Sequence, residues 1–217
     1  MTHQGELFSA APLDNLKFEK TAYGNGFTCV AGIDEAGRGP LAGPVMAAAV
    51  ILPVGLSIVG VDDSKKLTSD KREKLFEIIM AQAVSVGVGI ICPAEIDLIN
   101  ILQATRRAML AAVQQLFPQP DCLLIDGIST IDSAVPQKTI KKGDSLSLSI
   151  AAASIIAKVT RDRHMIEMDA KYPGYGFAGH KGYGSAAHMD AIRRLGPSPI
   201  HRLTFGGVKE YVECTSS

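Results

Sequence analysis

Four short runs of apolar and small residues, at 28–34, 45–52, 84–90 and 122–126, are separated by longer stretches with helical spacing. Runs of this length, rich in β-branched and small residues, suit buried strands better than helices. The first two lie close together, which predicts an antiparallel hairpin. Residues 84–90 alternate apolar with small or polar side chains, the period of a strand whose two faces differ. Residues 69–83 place Leu75, Ile78 and Ile79 on one helical side, with Thr68 or Ser69 as N-cap. Pro93 can open a helix running to about residue 117. Residues 137–140 read as a further strand and 148–170 as a long alanine-rich helix with apolar and basic sides. A loop at 172–184, rich in Gly, Tyr and His, leads to a last helix near 185–195. Strands and helices mixed in this order predict an α/β fold, a sheet covered by helices. The expected organisation is an N-terminal arm (1–27), one core (28–170) and a small helical C-terminal portion packed on it (171–217).

Charge is balanced overall, 22 Lys and Arg against 22 Asp and Glu, but unevenly placed. Residues 1–137 hold ten basic and fifteen acidic side chains, and residues 138–202 hold eleven and five. An acidic first part and a basic later part suit a protein that gathers carboxylates around cations and offers a positive surface to phosphates. The cysteines, Cys29, Cys92, Cys122 and Cys214, form no CxxC pair, so a zinc knuckle is disfavoured and buried thiols in a reducing compartment are expected. No secretion signal or membrane-length apolar stretch is visible, so a soluble, cytoplasmic protein is expected.

Chemistry gathers where the strand-like runs stop. Asp34, Glu35 and Asp126 close such runs, and Asp144 leads into the alanine-rich helix. Asp-Glu and Asp-Gly are also common turn dipeptides, so each is weak evidence alone. If their strands are neighbours, however, the acids converge, and several carboxylates stay ionised together only with a cation. Oxygen ligands favour Mg²⁺ or Mn²⁺ over zinc, and two such ions can activate a water and stabilise a leaving oxygen at a phosphodiester. Gly37-Arg38-Gly39 follows the acidic pair. A dinucleotide fingerprint is disfavoured there, because the next segment reads as a strand and acids beside the loop would repel a pyrophosphate. Two glycines around an arginine instead offer bare backbone and one positive charge, suited to a sugar hydroxyl and its phosphate. Lys158 and Arg161 lie three apart on the long helix, a candidate clamp for duplex phosphates, as are Ser64, Lys65 and Lys66 from a loop. His164, His180, His188 and His201 lack the HExxH spacing and are read as structural.

Six ordered blocks, IDEAGRGPLAGPVMAAAVIL, DDSKKL, LLIDG, KKGDSLSLSIAAASIIAKVTRD, HKGYG and PIHRLTF, closely resemble the ribonuclease HII family over residues 28–205. The resemblance implies the ribonuclease H-like fold, a mixed central sheet flanked by helices. It also implies two-metal hydrolysis of the RNA strand of RNA/DNA hybrids, and cutting 5′ to single ribonucleotides in duplex DNA, with 5′-phosphate and 3′-hydroxyl products. Asp34, Glu35, Asp126 and Asp144 would be the catalytic, metal-binding carboxylates. Gly37, Arg38 and Gly39 would read the ribose 2′-OH, while Tyr183 would stack on the adjacent deoxyribose. GRG, where ribonuclease HIII has GKG, favours the former type. A monomer with the hybrid duplex as partner is expected. The rivals are a broader metal-dependent nuclease or strand-transferase of the same fold, and a non-catalytic hybrid-binding module.

Overall fold

A computed structural model describes residues 14–61 and 64–213 of the chain, so Asp62 and Asp63 of the DDSKKL block and Cys214 lie outside the described residues. Five strands form one mixed sheet: β1 (Val30–Ala36), β2 (Val45–Ile51), β3 (Ser85–Ile91), β4 (Cys122–Asp126) and β5 (Gln137–Ile140), in the order β3-β2-β1-β4-β5. β1 and β2 pair antiparallel, as their closeness in sequence predicts, and β3 extends that meander. β4 joins β1 in parallel, and β5 joins β4 in parallel.

Helices cover both faces. On one side α3 (Pro93–Gln114) packs Ile96, Ala108 and Val113 against Ile33, Ala49 and Leu123. On the other, α2 (Ser69–Gln82) and α4 (Leu148–Lys171) pack Leu75, Ile79, Ile155 and Val159 against Ala48 and Val50. A strand covered on both faces is apolar throughout rather than alternating, which is why β2 reads VMAAAVI and is buried at every position. The period-2 pattern of β3 has a separate cause. Cβ atoms on Gly87 and Gly89 would stand 2.1 Å and 1.9 Å from the carbonyl oxygens of Ala112 and Ala108, so glycine there lets α3 lie directly on the strand.

Three segments depart from the sequence reading. α3 is broken at Asn100, whose φ of 67° is left-handed and whose Oδ1 accepts from the amides of Leu102 and Gln103, capping the second half as a new helix. The lead-in read as irregular contains α1 (Lys17–Gly24), a helix too short to display a period. Its Glu19 Oε1 accepts from Ser147 Oγ (2.6 Å), Ser149 N (3.0 Å) and Ser149 Oγ (2.7 Å), fastening α1 to the start of α4. The loop after α4 holds a single turn, α5 (Phe177–His180), ahead of α6 (Ala186–Leu195), and a short α7 (Lys209–Glu213) follows. Phe177 is buried with Ala42 and Met165, so this region shares its packing with the core. The histidines there face one another and the backbone: His188 Nε2 meets His201 Nε2 at 3.0 Å, and His201 Nδ1 meets the Ser198 amide at 2.8 Å. Burial pulls His201 down to about 4, so it is neutral at physiological pH. No helix among the described residues is long and apolar enough to cross a membrane.

Candidate active site

The site lies at the carboxyl ends of the parallel strands, where open α/β sheets place their ligands. β1 and β4 run in register, Gly32 beside Leu124 and Ile33 beside Ile125. Side chains alternate, so Asp34 and Asp126, one step past that last pair, fall beside each other on the face toward α4. Glu35 follows on β1. Asp126 Oδ1 accepts from the Gly143 amide at 2.6 Å, which brings Asp144, in the turn Gly143–Ser145, next to the β4 end. Asp144 is buried and its Oδ2 stands 3.3 Å from Lys65 Nζ.

A cavity of about 210 Å³ opens among these residues, lined by Asp34, Glu35 and Asp126, by Gly37-Arg38-Gly39, by Ser64 and Lys65, and by Ser154, Lys158 and Tyr183. Cavities of about 400 Å³ and 300 Å³ elsewhere are larger, but one has no carboxylate on its wall and the other only Asp97. Chemistry, not size, therefore singles out the smaller one. Asp144 is adjacent to the cavity through Lys65 and Gly143 rather than on its wall. Ser154 had no signal of its own in the sequence. It stands four residues before Lys158, on the same face of α4, and its hydroxyl meets Ser64 Oγ at 2.7 Å.

Electrostatics mark the acids as a strained group. Burial, then the charges of Glu35 and Asp126, hold the Asp34 carboxyl well above the usual carboxylate range. Burial also raises Glu35, with Arg38, 3.2 Å away, pulling it back. Oxygen-only donors that repel each other fit a hard divalent cation. Among the described residues no three acid, His or Cys side chains close into a cage.

A pH dependence follows. Acids raised in the folded state bind protons there that the unfolded chain has released, so the metal-free fold loses stability as pH climbs from the ordinary carboxylate range through the raised values. A cation that binds only the folded state offsets this loss. The rise in melting temperature on adding Mg²⁺ should therefore be larger in mildly alkaline than in mildly acidic solution. Calorimetry at both pH values checks it, and equal rises would contradict the repulsion described here.

Two basic candidates behave differently. Lys158 is half-buried on the cavity wall, its Nζ held by Asp162 at 2.6 Å, and burial lowers its pKa. Arg161 is a correction to the sequence reading. It is 1% exposed, and its nitrogens donate to the carbonyls of Pro44 (3.0 Å), Lys181 (3.0 Å) and Ala42 (3.1 Å), so it braces backbone and cannot clamp a duplex phosphate. The Arg161 side chain passes beneath the glycine loop, where a Cβ on Gly37 would lie 2.1 Å from Arg161 Nε. Gly37 also has a φ of 92°, so both its space and its backbone require glycine.

Comparison with known proteins agrees with this geometry. The family model described as Ribonuclease HII matches residues 31–208. A ribonuclease HII of Pelobacter propionicus is 68% identical over 214 residues, covering 99% of this chain and 98% of that protein. The crystal structure of ribonuclease H2 from Pyrococcus horikoshii OT3 is similar with a TM-score of 0.73 at 28% identity, covering 88% of this chain and 100% of that one. The structure of the PCNA:RNase HII complex from Archaeoglobus fulgidus gives 0.69 at 25% identity, over 82% and 95%. The chain belongs to the ribonuclease HII family and is a metal-dependent endoribonuclease acting on RNA/DNA hybrids.

Proposed function

We propose that the cavity cuts on the 5′ side of a ribonucleotide, including a single one embedded in duplex DNA, with Asp34, Glu35, Asp126 and Asp144 holding Mg²⁺ or Mn²⁺. The observation that carries this reading is the shared wall: three acids, the Gly37-Arg38-Gly39 loop and Tyr183 face one space. Divalent cations bound by these acids would supply an activated water and charge for the leaving oxygen. The chain's own residues do the selecting. The glycine loop brings backbone donors and acceptors close enough to meet a 2′-OH, the group by which a protein separates RNA from DNA. Arg38, half exposed at the mouth, adds a positive charge for the phosphate. Tyr183 lies with a ring carbon 3.8 Å from the position a Gly39 Cβ would take, so loop and ring bracket one nucleotide step. Lys65 and Lys158 on the cavity wall would meet backbone phosphates, whereas Ser64 is buried with its hydroxyl 2.7 Å from Ser154 Oγ and would support the wall from behind. The described thiols Cys29, Cys92 and Cys122 are free, but only Cys122 is buried as the sequence reading expects, Cys29 being half-buried and Cys92 exposed; a monomer working in the reducing cytoplasm is part of the proposal.

The test is a DNA duplex containing one ribonucleotide, incubated with Mg²⁺ or Mn²⁺ and with or without chelator. A single cut 5′ to the ribonucleotide, lost with chelator and absent from the all-DNA duplex, is the expected result. Cleavage of the all-DNA control would favour the broader nuclease instead. Tyr183→Ala should reduce cutting at the lone ribonucleotide by about 10-fold relative to a continuous hybrid, a loss within the range of about 1–3 kcal/mol that removing an aromatic platform from under a base brings. Equal losses on both substrates would remove Tyr183 from the reading of the DNA side.

A further inference from the structure

Arg202, in the PIHRLTF block near the C-terminal end, is fully buried and has no carboxylate within salt-bridge distance among the described residues. Its three nitrogens donate instead to main-chain carbonyls of the glycine loop: Nη2 to Gly37 (2.5 Å), Nη1 to Arg38 (2.8 Å) and Nε to Gly43 (3.0 Å). Its own amide donates to Leu41 O at 2.8 Å. The guanidinium lies over the Phe205 ring, 5.0 Å from its centroid. Burial and the neighbouring Arg161 charge lower its pKa to about 9, so it remains a cation at neutral pH. Asp97 attracts this charge without touching it, so the cost of burial is only partly offset, and a purely structural tie between loops could be made by neutral groups.

We propose that Arg202 is a positioning residue for substrate selection, fixing the carbonyls of Gly37 and Arg38 and thereby the aim of the loop that reads the ribose. The inference rests on the reading of Gly37-Arg38-Gly39 given under the proposed function. A planar fork with five N–H groups can hold carbonyls of residues 37, 38 and 43 simultaneously, whereas an ammonium, with its donors on one atom, cannot span them. Arg161 approaches the same segment from α4 and joins it to Lys181 O, with its guanidinium carbon 6.0 Å from the Tyr183 ring centroid. The two arginines therefore set the loop and the ring at one mutual distance. Asp97 of α3 secures the turn beyond Arg202, its carboxylate accepting from Leu203 N (2.8 Å), Thr204 N (3.0 Å) and Thr204 Oγ1 (2.6 Å).

The experiment compares the full-length protein with Arg202→Lys and Asp97→Ala. Each is assayed with excess Mg²⁺ on duplexes carrying one ribonucleotide or one 2′-fluoro nucleotide at the same step, and each melting temperature is recorded. A site built around a hydroxyl rejects its analogue by about 10⁴-fold, and a remote shift of about 1 Å costs about 100-fold, so Arg202→Lys should narrow the 2′-OH to 2′-fluoro rate ratio by about 10-fold or more. The Mg²⁺ concentration giving half-maximal rate should not move, because the acids are untouched. Asp97→Ala should narrow the ratio in the same direction by less. A folded Arg202→Lys with an unchanged ratio overturns the proposal. If Arg202→Lys does not fold, an unchanged ratio in Asp97→Ala overturns it. Wild-type protein that cuts both duplexes equally removes the ribose reading itself, and the proposal with it, before any variant is compared.

Discussion

Asp126→Asn is expected to abolish cleavage while the fold and hybrid binding persist. The amide keeps an oxygen able to accept from Gly143 N, the contact that joins the end of β4 to the turn carrying Asp144, so local geometry has no reason to change. What disappears is one negative charge from the group that attracts the cation. Loss of an outer-shell partner at metal sites already costs about 10–100-fold, so if Asp126 holds the cation as proposed, its loss should exceed about 100-fold in kcat. The charge of Asp126 also contributes to holding Asp34 and Glu35 above the carboxylate range. Without metal the variant should therefore melt no lower than wild type at neutral pH. Single-turnover cleavage, hybrid binding and melting measured together check this. Unchanged turnover would take Asp126 out of the mechanism, and a lower melting temperature would show that its role is structural.

Gly32→Ala should be among the most damaging small substitutions in the sheet, and the one nearest the site. Gly32 sits mid-strand between Val50 and Leu124, on the face against α4. A Cβ there would stand 2.1 Å from the carbonyl carbon of Ser149, 2.3 Å from Ile150 N and 2.5 Å from Ser149 O. These are main-chain atoms of the first turn of α4, so no side-chain rotation relieves the overlap, and helix and strand must separate. Overpacking typically costs about 1–3 kcal/mol, and a backbone-on-backbone clash belongs at about 3 kcal/mol or above. For a domain of this size that lowers the melting temperature by about 6–12 °C. The same displacement moves the start of α4, which follows Asp144 and is fastened by Glu19, so activity should fall more than stability alone explains. A melting temperature within about 2 °C of wild type would contradict the close approach, since about 1 kcal/mol moves it by 2–4 °C.

Much of this was legible because the informative signals are local. Run length and alternation mark β1 to β4 to within a residue or two, and Thr68 caps α2 as read, its Oγ1 accepting from Lys71 N at 3.3 Å. The break at Asn100 was not legible, since Leu98 and Leu102 continue the apolar pattern across it and only the backbone records the reversal. α1 was missed because its eight residues owe their helix to Ala22 in the core and to Glu19 on two distant serines.

By itself the sequence determined the residue types of the site: acids at strand ends, glycines on either side of an arginine, and a tyrosine in a glycine-rich loop, each a matter of a few consecutive positions. The tertiary structure alone decided which of them meet. The parallel register of β1 with β4 sets Asp34 beside Asp126 across about ninety residues of chain, and no local pattern encodes a strand's partner. It likewise separated two arginines from the other cations. Arg161 shares a helical side with Lys158 in the sequence, and Arg202 follows a histidine near the end. Burial under one loop makes both of them backbone braces, Arg161 in place of the phosphate clamp expected of it, because a guanidinium removed from water must spend its donors on whatever carbonyls surround it.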